Sequence, residues 1–283
     1  MTRRLRRHPS GAASHLLEVP GDGASPAVLF LHGVGGGAWS WEPQAAALAR
    51  ERRCYVFEAR GHGLASRVAD AGLGDYWIDA NEALDAAVAG SGGPVVVAGH
   101  SMGGLLGFAL ADERRADVAG LFLVEPVYAQ GGSDTHLSGP LGRVARALLD
   151  PVIASYARDG RIARRLSRWI FAASFTDRRA MERAWLAQRT QVPVEYPKMI
   201  TEAFDGPTGF PNRAFAETLD VRTTILEGRI ARERPRFPEL IDTLQRRLDD
   251  RFRHEVSDGG HYLQLDRPEY VTQRLAEFVR ACR

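Results

Sequence analysis

"VVVAGHSMGGLLG", residues 95–107, decides how the chain is read. Its first four residues are apolar without a break, as in a strand buried on both faces of a parallel sheet. From Met102 onward the pattern suits a helix. Between them stands Gly99-His100-Ser101-Met102-Gly103, a G-x-S-x-G sequence. Such an elbow puts its serine on a sharp turn, with Oγ exposed at the carboxyl edge of the sheet. The serine also sits at a helix N-terminus, where free N–H groups favour developing negative charge. A serine there can simply cap the helix. A strand before it and a helix after it favour a nucleophile.

Outward from the elbow, similar short runs recur: "AVLFL" at 27–31, "CYVF" at 54–57, "LFLV" at 121–124 and "TTIL" at 223–226. Helical patterns alternate with them, namely "WEPQAAALARE", "DYWIDANEALDAAVAG" and "MGGLLGFALADERR". That rhythm predicts an α/β fold with a doubly wound, mostly parallel sheet. "HLLEV" at 15–19 reads as an earlier edge strand. From about residue 129 to 219 the strand signals stop and helical spacing takes over, as in the amphipathic "RIARRLSRW". The sheet then resumes with "TTIL", the helix "FPELIDTLQRRL", the strand "RFRHEV" and the closing helix "RPEYVTQRLAEFVRAC". The expected organisation is a core domain over 1–128 and 220–283, interrupted by a helical insert over 129–219.

The bulk numbers fit that picture and exclude others. The chain has 283 residues, 45% of them hydrophobic, enough for one large core. Net charge is +2, from 37 basic and 35 acidic residues, so nothing asks for nucleic acid. The basic "MTRRLRR" is followed by no apolar stretch, so it reads as a solvated, frayed tail and not as an export signal. No run approaches a membrane span. Cys54 and Cys282 are far apart and form no ligand pattern, which suits free thiols in a reducing cytoplasm. The expected location is therefore cytoplasmic. The oligomeric state is not written in the sequence.

A serine hydroxyl needs a base. Of the eight histidines, His261 stands in "SDGGHYLQLDRPEYV", a glycine-rich loop before the last helix, from which it can approach the sheet edge. His100 is held by the elbow and reads as a packing residue. His62, in "RGHG", and His254 read as structural. An oxyanion needs donors. "FLHGVGGGAW" follows the first clear strand and can aim the Val34 N–H at the serine, with the Met102 N–H as the second donor.

Together these segments resemble the α/β-hydrolase fold family. The matches are "HGVGG" at 32–36, "ARGHGLAS" at 59–66, "GHSMGG" at 99–104 and "GGHYLQLDRPEYV" at 259–271, in the family's chain order. The resemblance implies Ser101 as nucleophile, His261 as general base and acid, and Val34 and Met102 as oxyanion hole. It also implies that the insert at 129–219 is a helical cap or lid.

One position departs from the family's commonest pattern. The acid of the triad usually follows the strand after the cap, a few residues past a glycine. Here that region reads "ILEGRIARERP", and the expected position holds Ala231. Some members carry the acid one strand earlier. In this sequence that strand is "LFLV", which runs into Glu125 before Pro126 ends it. A carboxylate at an apolar strand tip is solvated, structurally paired or placed for chemistry. Glu125 is the assigned acid, with Glu233 as its rival and Glu227 and Asp258 further behind. Its role is to fix the tautomer of His261 and to stabilise the imidazolium.

A serine at the elbow implies an acyl intermediate on a carboxylic ester, lactone or thioester of a hydrophobic small molecule. No metal or organic cofactor motif is present, and none is expected. His32, Gly33, Trp39, Trp169 and Trp185 are candidate pocket residues, although packing alone accounts for most cap aromatics. Carbon–carbon bond hydrolysis, acyl transfer or cyclisation, cofactor-free oxygenase or lyase chemistry, and a non-catalytic ligand-binding role stay open as alternatives on the same fold.

Overall fold

The computed structural model describes residues 2–7, 13–23, 25–65, 71–128, 168–169, 171–189, 215–229 and 237–282. Eight strands form one sheet: β1 Thr2–Arg7, β2 Ala13–Val19, β3 Val28–Leu31, β4 Cys54–Glu58, β5 Val95–His100, β6 Val118–Val124, β7 Thr223–Gly228 and β8 Phe252–Ser257. Their order is β1-β2-β4-β3-β5-β6-β7-β8. From β4 to β8 every pairing is parallel, and β1 and β2 are antiparallel additions at one edge. The order turns back at β3, which lies between β4 and β5. That switch point is where an open α/β sheet leaves a crevice at its carboxyl edge.

Strand residues alternate between two buried faces. Leu29, Leu31, Val95, Val97, Leu121 and Leu123 join one apolar cluster, with α2 (Leu73–Ser91), α3 (Met102–Glu113) and α6 (Pro238–Leu248). Val28, Phe30, Val96, Ala98, Phe122 and Val124 join the other, with α1 (Glu42–Leu48) and α8 (Pro268–Ala281). Both faces are covered, which explains why the strands read as unbroken apolar runs. The doubly wound, mostly parallel sheet expected from the sequence is the observed fold.

The amino-terminal tail is a correction. Residues 2–7 are not frayed: β1 pairs antiparallel with β2, from Thr2↔Glu18 to Arg7↔Ala13. Backbone pairing does not depend on side-chain polarity, and an arginine-rich segment suits an edge strand because charge discourages further strands from adding. Thus "HLLEV" lies one strand in from the edge.

β6 and β7 are neighbours in the sheet, so residues 125–222 form an excursion between adjacent strands. Its described helices include α4 (Arg178–Arg189) and α5 (Phe215–Thr218), and residues 168–169 and 171–172 are helical as well. Phe215 is buried in the core and stacks on Phe108, so the chain has rejoined the core before β7. Phe171, Phe175, Ala180, Met181 and Ala184 make a separate cluster with Tyr262, outside the two core layers. Most of "RIARRLSRW" lies outside the described residues. A four-residue helix, α7 (Leu263–Asp266), precedes α8, and two short 3-10 helices lie at Ala38–Trp41 and Asp249–Arg251.

Candidate active site

β5 ends at His100 and α3 begins at Met102, so the whole turn falls on Ser101. Its backbone is left-handed, with φ 52° and ψ −116°. A non-glycine residue there is strained, and such strain persists only where the surroundings enforce it. Here they do. The Ser101 N–H donates to the Val124 carbonyl (3.1 Å), and the Ser101 carbonyl accepts from the Val127 N–H (3.1 Å). At Gly103 a β-carbon would lie 2.3 Å from the Leu31 carbonyl oxygen, so only glycine lets the helix start pack this close to β3. Ser101 itself is 9% exposed.

The next strand repeats the manoeuvre. β6 ends at Val124, and Glu125 also turns left-handed, at φ 47°. Its N–H donates to the Leu226 carbonyl on β7 (2.8 Å). The buried carboxylate takes the Gly228 N–H on Oε1 (2.6 Å), while His261 Nδ1 lies 3.3 Å from Oε2. With the proton on Nδ1 donated to Glu125, His261 keeps the Nε2 lone pair free to act as a base. His261 is also held through its backbone: His100 Nε2–H donates to the His261 carbonyl (2.8 Å), and the two rings lie 4.8 Å apart. His100 therefore does more than pack. The residue beside the serine anchors the residue that would activate it.

The loop after β3 closes the other side. Gly33 lies so near the elbow that a β-carbon on it would sit 2.9 Å from Ser101 Cβ. Two buried histidines brace this loop from beneath. Ala59 N–H donates to His32 Nε2 (3.2 Å), so His32 carries its proton on Nδ1 and donates it to the Gly33 carbonyl (2.8 Å). Gly35 N–H donates to His62 Nε2 (3.1 Å), and His62 Nδ1–H donates to the Arg60 carbonyl (3.2 Å). Burial lowers the pKa of both rings, that of His62 to about 3, with the neighbouring His32 adding to the effect. Glu58 holds the far end of the loop through the Ala38 N–H (3.1 Å).

A serine on a strained elbow, a carboxylate-bonded imidazole and a glycine-rich loop meet at one sheet edge, in one order along the chain. Residues 28–274 match the family model described as the alpha/beta hydrolase family. The chain belongs to the alpha/beta hydrolase family. Among its relatives is RutD of Variovorax paradoxus, which is named as a carbamate hydrolase. It is 37% identical over 110 residues, covering 38% of this chain and 40% of that protein. Another is a cis-3-alkyl-4-alkyloxetan-2-one decarboxylase of Xanthomonas campestris, 32% identical over 128 residues, covering 43% and 42%. The chain thus matches about two fifths of the length of these curated relatives. Among solved structures, a thermophilic esterase from Thermogutta terrifontis superimposes with a TM-score of 0.75 at 21% identity, over 100% of this chain and 99% of that one. That likeness is one of fold.

Within this alpha/beta hydrolase, two of the rival acids stand elsewhere. Glu227 is buried and bonded to His254 Nε2 (3.1 Å) on β8, and Asp258 is exposed. Glu233 and Ala231 lie outside the described residues. Among the candidate pocket residues, Gly33 flanks the serine. His32 is 2% exposed with both ring nitrogens committed to backbone, so its work is to support the loop from below. Trp39 stacks on Tyr262 (5.9 Å), and Trp185 packs against Phe171 (5.6 Å). Trp169 is 71% exposed. His62 reads as structural in the sequence and is so here, whereas His32, read as a pocket residue, supports the loop instead. No group of metal ligands and no membrane-length apolar helix occurs among the described residues.

Proposed function

We propose that the chain is a serine hydrolase that cleaves a carboxylic ester, lactone or thioester of a hydrophobic small molecule through an acyl-enzyme. The observation that carries this reading is the left-handed Ser101 at the β5–α3 turn, with the Glu125-bonded His261 on the same sheet edge. Ser101 Oγ attacks the substrate carbonyl carbon while His261 Nε2 takes the hydroxyl proton. The negative oxygen of the tetrahedral intermediate is received by the N–H groups of Val34 and Met102, and the start of α3 adds its dipole. Collapse breaks the bond to the leaving group, which His261 protonates. Water, deprotonated by the same nitrogen, then attacks the acyl-serine; the acyl–Oγ bond breaks, His261 returns the proton to Ser101 Oγ, and the acid is released. Glu125 keeps the imidazole in the required tautomer and balances its transient charge. The insert at 129–219 serves as the cap.

The match to RutD favours a second reading in which the carbonyl belongs to a carbamate. The steps at Ser101 are the same, so the two differ in substrate and not in machinery.

The test is fluorophosphonate labelling of wild type and Ser101→Ala, with turnover of short-chain p-nitrophenyl esters and carbamates in the same samples. Labelling confined to wild type, with ester turnover at least 10³-fold above the variant, is expected from the loss of a covalent nucleophile. Turnover of carbamates alone would shift the assignment to the second reading. Folded wild type that takes no label would overturn both.

A further inference from the structure

Asp266 is 3% exposed, yet its carboxylate collects four hydrogen bonds from two distant parts of the chain. Gly260 N–H, from the residue before His261, donates to Oδ2 at 2.7 Å. Three donors come from the insert: Thr176 N–H (2.9 Å) and Thr176 Oγ1–H (3.0 Å) on Oδ2, and Asp177 N–H (3.1 Å) on Oδ1. Asp177 in turn caps α4, accepting the N–H groups of Arg179 (2.7 Å) and Ala180 (3.1 Å). The contact is reinforced beside the carboxylate. Tyr262 N–H donates to the Ser174 carbonyl (3.3 Å), and the Tyr262 ring stacks on Phe175 with centroids 4.9 Å apart.

A buried carboxylate cannot be left half satisfied cheaply. If the insert segment leaves, Asp266 loses three donors. If the histidine loop shifts, it loses the fourth. We propose that Asp266 is a positioning residue, a latch joining Ser174–Asp177 of the insert to the loop that bears His261, so that docking of the insert and placement of the base are one event. The proposal deepens the hydrolase reading and rests on it, because it takes His261 to be the base. Asp266 touches no reacting atom and acts through the loop.

Asp266→Asn tests it in the full chain. The amide nitrogen is a donor, so it opposes either the single donor on Oδ1 or the three on Oδ2. Thr176→Val is the companion. It keeps the shape and the backbone donor, deletes one bond, and lies outside the proposed triad. Two readouts are needed: the saturating rate of fluorophosphonate labelling at Ser101 per folded molecule, and hydrogen exchange of the amides in 174–177 and 258–263. Expected is a fall in labelling of roughly tenfold to hundredfold for Asp266→Asn, the scale that follows from about 1 Å of misplacement. Thr176→Val should fall severalfold. In both variants kcat for a p-nitrophenyl ester should drop more than KM rises, and the two segments should lose exchange protection together. Wild-type labelling rates beside a lowered Tm would make Asp266 merely structural. Opening of one segment without the other would break the latch. Should Asp266→Asn not fold, Thr176→Val carries both readouts. Wild type that takes no label would sink the hydrolase reading, while the exchange pattern would still judge the latch.

Discussion

Two neighbouring residues on adjacent strands, Ser101 and Glu125, do the same unusual thing: each bends the backbone left-handed where its strand ends. The bend at Glu125 takes its side chain out of the sheet and brings one oxygen to the Gly228 N–H and the other to His261. Glu125→Gln keeps the shape but places an amide where one of these oxygens stood. With the amide facing His261 Nδ1, the imidazole is pushed into the wrong tautomer. The expected loss in kcat is on the order of 10³–10⁴-fold in a folded protein, and Glu233→Gln is expected to leave kcat within about twofold of wild type. Steady-state kinetics on both variants decide the assignment. A Glu125→Gln enzyme at wild-type kcat, beside a crippled Glu233→Gln, would move the acid to Glu233.

The glycine-rich loop after β3 is an element held by histidines that must stay neutral. Protonated His62 could no longer accept the Gly35 N–H, and its charge would be buried with the neutral His32 ring 4.8 Å away between ring centres. The ordinary value for an exposed histidine is 6.5, and folded His62 titrates at about 3. As pH falls, the unfolded chain takes up the proton first. Stability from this site is therefore intact above about pH 6.5 and drains away as pH falls toward 3, at up to about 1.4 kcal/mol per pH unit for each such histidine. His62→Gln keeps an acceptor but does not titrate. Urea midpoints at pH 7, 5 and 4 should fall more steeply for wild type than for the variant. Parallel slopes would mean that His62 does not govern acid stability. None of this bracing was visible in the linear pattern. The Gly35–His62 bond joins residues 27 apart and the Asp266–Thr176 bond joins residues 90 apart, so only the folded register pairs them.

For the whole molecule, the legible part was the part written in local runs. Unbroken apolar stretches gave the strands because both faces of the sheet are covered. The G-x-S-x-G elbow gave the serine because its glycines answer to close backbone approach. Glu125 was assigned through the resemblance, in which some members carry the acid one strand earlier, and the shared edge of neighbouring parallel strands explains why its carboxylate lies beside His261. β1 was missed because edge pairing uses backbone groups that every residue carries. A global probe of the assembled core is Cys54, which is 0% exposed on β4 and whose thiol burial pushes up to about 12. At pH 8 its alkylation by iodoacetamide should be at least 10²-fold slower in native protein than in urea, and should follow the unfolding curve. Fast alkylation of native protein would mean that this part of the sheet opens locally.

On the proposed reading, an acid at the tip of β6, ahead of the insert, also orders events in time. Synthesis runs from amino to carboxyl terminus, so the emerging chain gains Val34, Ser101, Met102 and Glu125 before the stretch between β6 and β7. His261 comes more than a hundred residues later, after the insert. On the proposed reading the nascent protein carries a finished but unarmed nucleophile throughout its growth. Arming waits for the segment that also bears Asp266, so a stretch made after the insert both supplies the proposed base and holds the insert to it.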